Sequence, residues 1–116
     1  MYRNELQMHF RNAVRRTYAK NLNDGLWHHV AAVNPSGGNS RNTVRLYIDG
    51  LEADFYGQWG QTSISTGSNY SFRIGKRWDN GQRFVGAIDD VRLYSKGFSV
   101  FEIQQLVAES QIQKNL

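Results

Sequence analysis

The sequence predicts an all-β fold, an antiparallel sandwich or barrel of about eight short strands followed by one short C-terminal helix. Three observations carry this. Short apolar stretches rich in Val, Ile, Tyr and Phe are separated by turn signals built from Gly, Asn and Asp. Residues Phe84 to Tyr94 alternate with a period of two: Val85, Ala87, Asp89, Val91 and Leu93 share one face and Gly86, Ile88, Asp90, Arg92 and Tyr94 the other. Ser99-Val100-Phe101-Glu102 is a capping box, with Ser at the N-cap and Glu three residues on.

Taken in order, Leu6, Met8 and Phe10 alternate with polar residues in a first strand and Val14 to Lys20 reads as a second, with a frayed helix over residues 1–20 as the alternative. Asn23-Asp24-Gly25 is a turn, because Gly accepts the positive φ such turns require. Leu26 to Val33 is apolar enough to be a central strand, and residues 34–40 form a loop by composition. Thr43 to Asp49 is a strand with Val44, Leu46 and Ile48 on one face. Asp49-Gly50 signals a two-residue hairpin, with Leu51 to Phe55 as the returning partner. Residues 56–69 are polar and Gly-rich, a long loop with room for one short strand. Tyr70 to Gly75 is a strand, and residues 77–82 form a turn. Phe98, Phe101, Ile103, Leu106 and Val107 then make the apolar stripe of a helix reaching to about residue 109. The expected core is Trp27, Val30, Val44, Leu46, Ile48, Phe72, Ile74, Ile88, Val91 and Leu93, with Phe101 and Leu106 docking the helix. On this reading Asp89 faces the core and needs hydrogen bonds or a cation, since an unpaired buried charge is prohibitive.

The 116 residues suffice for one domain spanning residues 1–116 with a modest core. The chain has no Cys, which excludes disulfide frameworks and thiolate metal sites. No stretch approaches the roughly 18 apolar residues of a membrane span, and no signal peptide is visible in residues 1–20. The net charge of +4 gathers in two clusters, Arg3, Arg11, Arg15, Arg16 and Lys20, and Arg73, Lys76, Arg77 and Arg83. No recognition-helix or RNA-binding signature accompanies them. Solvated strand edges that block unwanted pairing, not nucleic acid, are therefore the expected role.

Five motifs in series carry a family resemblance: Asp24-Gly25 with Trp27-His28-His29-Val30-Ala31, Leu46-Tyr47-Ile48-Asp49-Gly50, Ile74-Gly75, Phe84 with Gly86 and Ile88-Asp89-Asp90-Val91-Arg92-Leu93-Tyr94, and Phe98-Ser99 with Glu102-Ile103. Over residues 23–107 the chain resembles the laminin-G-like jelly roll of the concanavalin A-like lectin/glucanase superfamily. The resemblance implies an antiparallel two-sheet jelly-roll sandwich and an extracellular carbohydrate- or protein-binding module, often with calcium. It also implies more strands ahead of the Trp27 motif than residues 1–22 provide.

Hydrolysis of a glycan needs two carboxylates flanking the bond, roughly 5 or 6.5–9.5 Å apart. The Glu-x-Asp-x-x-Glu arrangement of glucanase relatives is missing, and Asp89 and Asp90 are strand neighbours that point apart. The expectation is no enzyme and no catalytic residue. His28 and His29 likewise diverge on a strand, so one is expected to be packed or hydrogen-bonded and the other exposed, not a metal pair. Asp89 is the calcium candidate, weighed against a structural carboxylate that accepts backbone N–H groups. For sugar binding the candidates are Trp59 with Tyr56 and Gln58 in the Gly-rich stretch, and Trp78 with Asn80 in the later turn. Aromatic faces stack on pyranose rings, amides bond hydroxyls, and binding residues concentrate in loops. The expected function is a non-catalytic carbohydrate-binding module, with a structural or protein-interaction domain as the alternative. Too few strands to close both sheets would leave open edges and apolar patches. A homodimer or higher oligomer joined through residues 1–20 is therefore expected.

Overall fold

The computed structural model describes residues 6–10, 13–17, 21–35, 40–60, 63, 72–76, 81 and 83–114, with backbone alone at 13, 56–60 and 112–114. Six strands and one helix lie among them: β1 (Gln7–His9), β2 (Ala13–Thr17), β3 (Val30–Val33), β4 (Arg45–Ile48), β5 (Leu51–Glu52), β6 (Phe55–Gly60) and α1 (Val100–Lys114). They form two antiparallel three-stranded sheets, in the orders β1-β2-β6 and β3-β4-β5. Two antiparallel sheets with a C-terminal helix are the layers of a jelly-roll sandwich.

The β4–β5 hairpin forms where Asp49-Gly50 predicts it. Asp49 has φ 52° and Gly50 φ 84°, so both central residues are left-handed, as the type I′ turn demands. This sets Ile48 opposite Leu51 and Tyr47 opposite Glu52. On the other side of β4, Val30 pairs with Ile48, Ala31 with Tyr47, Ala32 with Leu46 and Val33 with Arg45. Residues opposite one another share a face, so Ala31, Val33, Arg45 and Tyr47 look one way and Val44 and Leu46 the other. The first face receives the helix: Val33, Tyr47 and Ile103 form a buried cluster with Ala31 and Phe98 packed against it.

In the other sheet, β2 is central and pairs with β1 and β6. Thr17 is fully buried, its Oγ1 accepting the Leu6 N–H at 3.0 Å and its own N–H donating to the Leu6 carbonyl at 3.0 Å. Arg15 is buried too, against the expectation of a solvated strand edge. Its guanidinium lies 3.2 Å from the centroid of the Phe55 ring, a cation–π contact that occupies a charge taken out of water. Burial lowers its pKa, and the Glu52 carboxylate opposes that shift.

Several expected core residues are not core. Helix α1 buries Ile103 and Val107, one turn apart, while Phe101 is exposed. Two residues before Ile103 is about 200° around the helix, so Phe101 falls on the far side, and Leu106 is half-buried. β3 begins at Val30, not Leu26, so Trp27 lies outside the strand and is exposed; the strand's inward parity belongs to Ala31 and Val33, leaving Val30 exposed. Phe72 and Ile74 are exposed as well.

The largest correction concerns residues 84–94, which belong to no strand. Phe84 N–H donates to the Gly75 carbonyl at 2.7 Å and Lys76 bridges Arg83. Beyond that, Gly86 at φ 152° and Asp90 at φ 57° interrupt the extended course. Ile88, Val91 and Leu93 are exposed, and Asp89 is exposed with them. Period-two alternation states which residues share a face. It does not supply the neighbouring backbone that makes an extended segment a strand.

Burial separates two positions of similar apolar character. Leu46 is 2% exposed and Phe72 62%. Leu46→Ala is expected to cost about 2–5 kcal/mol, whereas Phe72→Ala stays within about 0.5 kcal/mol, both read from chemical denaturation midpoints.

Candidate functional site

The register of β4 with β5 and the start of α1 together enclose a cleft of about 480 Å³. Val33, Tyr47 and Phe98 line it together with Arg45, Glu52, Ser99 and Glu102. Tyr47 is buried, and that burial raises the pKa of its phenol. Phe98 packs on Tyr94 with ring centroids 4.4 Å apart, and the Lys96 ammonium lies 5.0 Å from the Phe98 centroid. Arg45 Nη1 donates to Glu52 Oε1 at 2.7 Å across the hairpin. The capping box forms as the sequence predicts: Glu102 N–H donates to Ser99 Oγ at 3.2 Å, and Ser99 N–H to Glu102 Oε1 at 3.1 Å. Lys96 Nζ donates to Glu102 Oε2 at 2.8 Å.

These partners decide what the cleft can do. The Lys96 hydrogen bond, then the Ser99 N–H, hold the Glu102 carboxyl below its usual range. A general acid for glycoside cleavage needs the opposite, a carboxyl kept protonated near neutral pH. Glu52 is tied to Arg45. The arrangement suits holding a ligand between an aromatic floor and ion-paired polar groups. Sequence reading gives Tyr47 a place in a motif without a role, and gives Phe98 to the apolar stripe of the helix. The signal lay in the hairpin turn, whose two-residue length puts Tyr47 opposite Glu52 and so on the same face.

The candidates named from sequence are distributed differently. Tyr56, Gln58 and Trp59 lie in β6, not in a loop, with Trp59 opposite Val14 and Gln58 opposite Arg15. Trp78 and Asn80 lie outside the described residues. Asp89 does not face a core. Its Oδ1 accepts the Asp90 N–H at 2.8 Å, the local backbone contact of a structural carboxylate. Calcium takes six to eight oxygens. Among the described residues no group of three His, Asp or Glu converges.

The two histidines sit in unlike environments, but both are half-buried, so neither is the exposed histidine expected from the sequence. His28 Nε2 lies 2.8 Å from Asp24 Oδ1 and its Nδ1 lies 2.7 Å from Asp49 Oδ2. A neutral imidazole donates from one nitrogen only, so holding both contacts requires the imidazolium. Asp49 Oδ1 also accepts the His29 N–H at 2.9 Å. The hydrogen bond to Asp49, then that to Asp24, raises the His28 pKa. Asp24 is lowered, first by the same bond to His28. His29, half-buried, is lowered by burial.

The signs predict a pH profile. The His28 contribution is complete below the ordinary histidine value of 6.5 and is lost as pH rises through its raised folded value. The Asp24 contribution is present above its ordinary 3.8 and is lost as pH falls through the lowered value. His29 acts in the opposite sense to His28, weakening the fold as pH drops below 6.5. Comparison with His28→Gln isolates the clamp. The stability difference between wild type and variant is expected to be largest below the ordinary histidine value of 6.5 and to shrink as pH rises through the raised folded value. Thermal unfolding across that range measures it, and a pH-independent difference rules out the charged clamp.

No curated protein matches the sequence significantly. A solved structure is similar, that of an S-layer domain-containing protein from Clostridium thermocellum ATCC 27405, with a TM-score of 0.55 and 21% sequence identity. The match covers 82% of this chain and 51% of that one, so this chain spans about half the length of its structural neighbour. At that identity the likeness concerns the fold. The family described as the concanavalin A-like lectin/glucanases superfamily, in its laminin-G type, matches residues 3–104. The order of motifs from Asp24 to Ile103, the paired antiparallel sheets and this match agree: the chain belongs to the laminin-G-like domains of the concanavalin A-like lectin/glucanase superfamily.

Proposed function

We propose that the chain is a non-catalytic carbohydrate-binding module. The observation that supports this best is the pairing of both carboxylates in the cleft. Glu52 is held by Arg45 and Glu102 by Lys96, beside an aromatic floor, in a superfamily whose description names both lectins and glucanases. Paired carboxylates accept sugar hydroxyls and do not serve as a proton donor to a leaving group. Trp59, Tyr56 and Gln58, with Trp78 and Asn80, are the stacking and amide groups proposed for the sugar, and Phe98 offers a second seat.

A second reading is a structural domain that works by assembly. Its support is the exposure of many large apolar side chains, Trp27, Phe72, Val85 and Leu93 among them, and the likeness to an S-layer domain-containing protein.

A glycan array at moderate salt, repeated with variants, separates the two. Binding is expected to weaken at least tenfold, about 1.4 kcal/mol, in Trp59→Ala or in Phe98→Ala, and to persist at high salt. Whichever variant loses binding identifies the seat. Binding of any polyanion that fades with salt and ignores both aromatic variants points to charge alone, and the lectin reading then fails.

A further inference from the structure

The His28 ring stands between two carboxylates that are held unequally. Its Nδ1 lies 2.7 Å from Asp49 Oδ2 and its Nε2 2.8 Å from Asp24 Oδ1. Asp49 is anchored elsewhere as well. Its Oδ1 accepts the His29 N–H at 2.9 Å, its own N–H donates to the His29 carbonyl at 2.8 Å, and its φ of 52° belongs to the β4–β5 turn. Apart from His28, Asp24 is held by N–H groups of its own turn, that of Leu26 donating to the same Oδ1 at 3.0 Å. Buried Leu22 fixes one end of this turn and the His28–Asp49 contact fixes the other. Residues 23–27 between them are exposed.

We infer that His28 is a pH-operated latch on residues 23–27: the imidazolium closes it, and the neutral ring keeps its proton on Nδ1 for Asp49 and lets Asp24 go. A neutral imidazole donates from one nitrogen and carries a lone pair on the other. With the proton on Nδ1, the Nε2 lone pair meets a carboxylate oxygen at 2.8 Å, two acceptors with no hydrogen between them. One side has to move. Moving Asp49 would break its contact with the His29 N–H and disturb the hairpin turn. Moving Asp24 costs only contacts inside its own turn. The turn therefore yields, the Leu26 N–H loses its acceptor, and the exposed side chains of Leu26 and Trp27 shift with it. Asp24 and Asp49 are the charged groups that act on His28 among the described residues. Helix α1 meets this corner through the neutral Gln104 side chain on the Gly50 carbonyl. His29 feels Asp49, Asp90 and Arg92, and its Nδ1 is buried without a partner, so it titrates apart from the latch. The bond to Asp49, then that to Asp24, raises the His28 pKa, so the latch is closed below 6.5 and opens as pH rises through the raised value. This latch stands whether or not the cleft takes a sugar.

Ring nitrogen NMR shifts distinguish the imidazolium from each neutral tautomer, and the chain has three histidines to assign. His28 is expected to be the imidazolium below pH 6.5 and the Nδ1–H tautomer once neutral. Between these states the Leu26 amide, corrected for the intrinsic rise of exchange with pH, is expected to exchange at least about tenfold faster, while the His29 amide keeps its protection. Asp24→Asn sets an amide N–H opposite Nε2 and is expected to keep Leu26 protected with the ring neutral. The Nε2–H tautomer, which keeps Asp24 and sheds Asp49, overturns the inference. So does a ring already neutral below 6.5, or one still charged where the chain unfolds. Equal protection of the Leu26 amide in the two states overturns it without recourse to any variant. An Asp24→Asn chain whose Leu26 amide opens as the wild type's does also removes the latch.

Discussion

The turn at Asp49-Gly50 ties the described half-sandwich together. Both residues hold positive φ, which reverses β4 into β5 in two residues. The Asp49 carboxylate binds the His28 ring and the His29 N–H, and the Asp49 N–H returns to the His29 carbonyl at 2.8 Å. The start of β3 is thereby fixed beside the end of β4. Gly50 accepts Gln104 Nε2 on its carbonyl at 3.3 Å, and a Cβ at Gly50 would stand 3.3 Å from the Gln104 side chain. A larger residue would make the Gln104 side chain give way by a few tenths of an ångström and would strain the left-handed backbone. One dipeptide therefore positions a hairpin, a strand entry and a helix.

The cleft is a consequence of that placement. Helix α1 presses Ile103 onto Tyr47 and Val33, and its capping box brings Ser99 and Glu102 to the rim. Charge is neutralised locally there: Arg45 with Glu52, Lys96 with Glu102. Exposed pairs of this kind contribute little to stability, so their value lies in fixing donors and acceptors around an aromatic floor. The same economy appears in the sheet of β1, β2 and β6, where the Phe55 ring, not a carboxylate, meets the buried Arg15 guanidinium.

Residues 84–94 show the converse. Among the described residues no strand pairs with them; Asp90 meets Arg92, Asp89 meets the next N–H, and their apolar side chains are exposed. Backbone N–H and C=O groups seek partners as strongly as apolar side chains seek burial.

The sequence by itself determined what depends on neighbours along the chain. The Asp49-Gly50 hairpin, the Asp24-Gly25 turn, the capping box at Ser99 and the β class all rest on local backbone chemistry, and the ordered motifs from Asp24 to Ile103 carry the family. Only the tertiary structure decided what depends on distant segments. Leu46 is buried and Phe72 is not, though both sit in alternating stretches, because burial needs a second layer and alternation does not say where that layer lies. Phe101 belongs to the apolar stripe by composition yet misses the sheet, since the helix docks through Ile103 and Val107. Asp89 has inward parity only if a strand exists to define inward. Tyr47 and Phe98 meet at one cleft because a hairpin and a helix start converge on it, 51 positions apart in the chain. Local propensity is written residue by residue, whereas a site is the intersection of surfaces that only the packed fold creates.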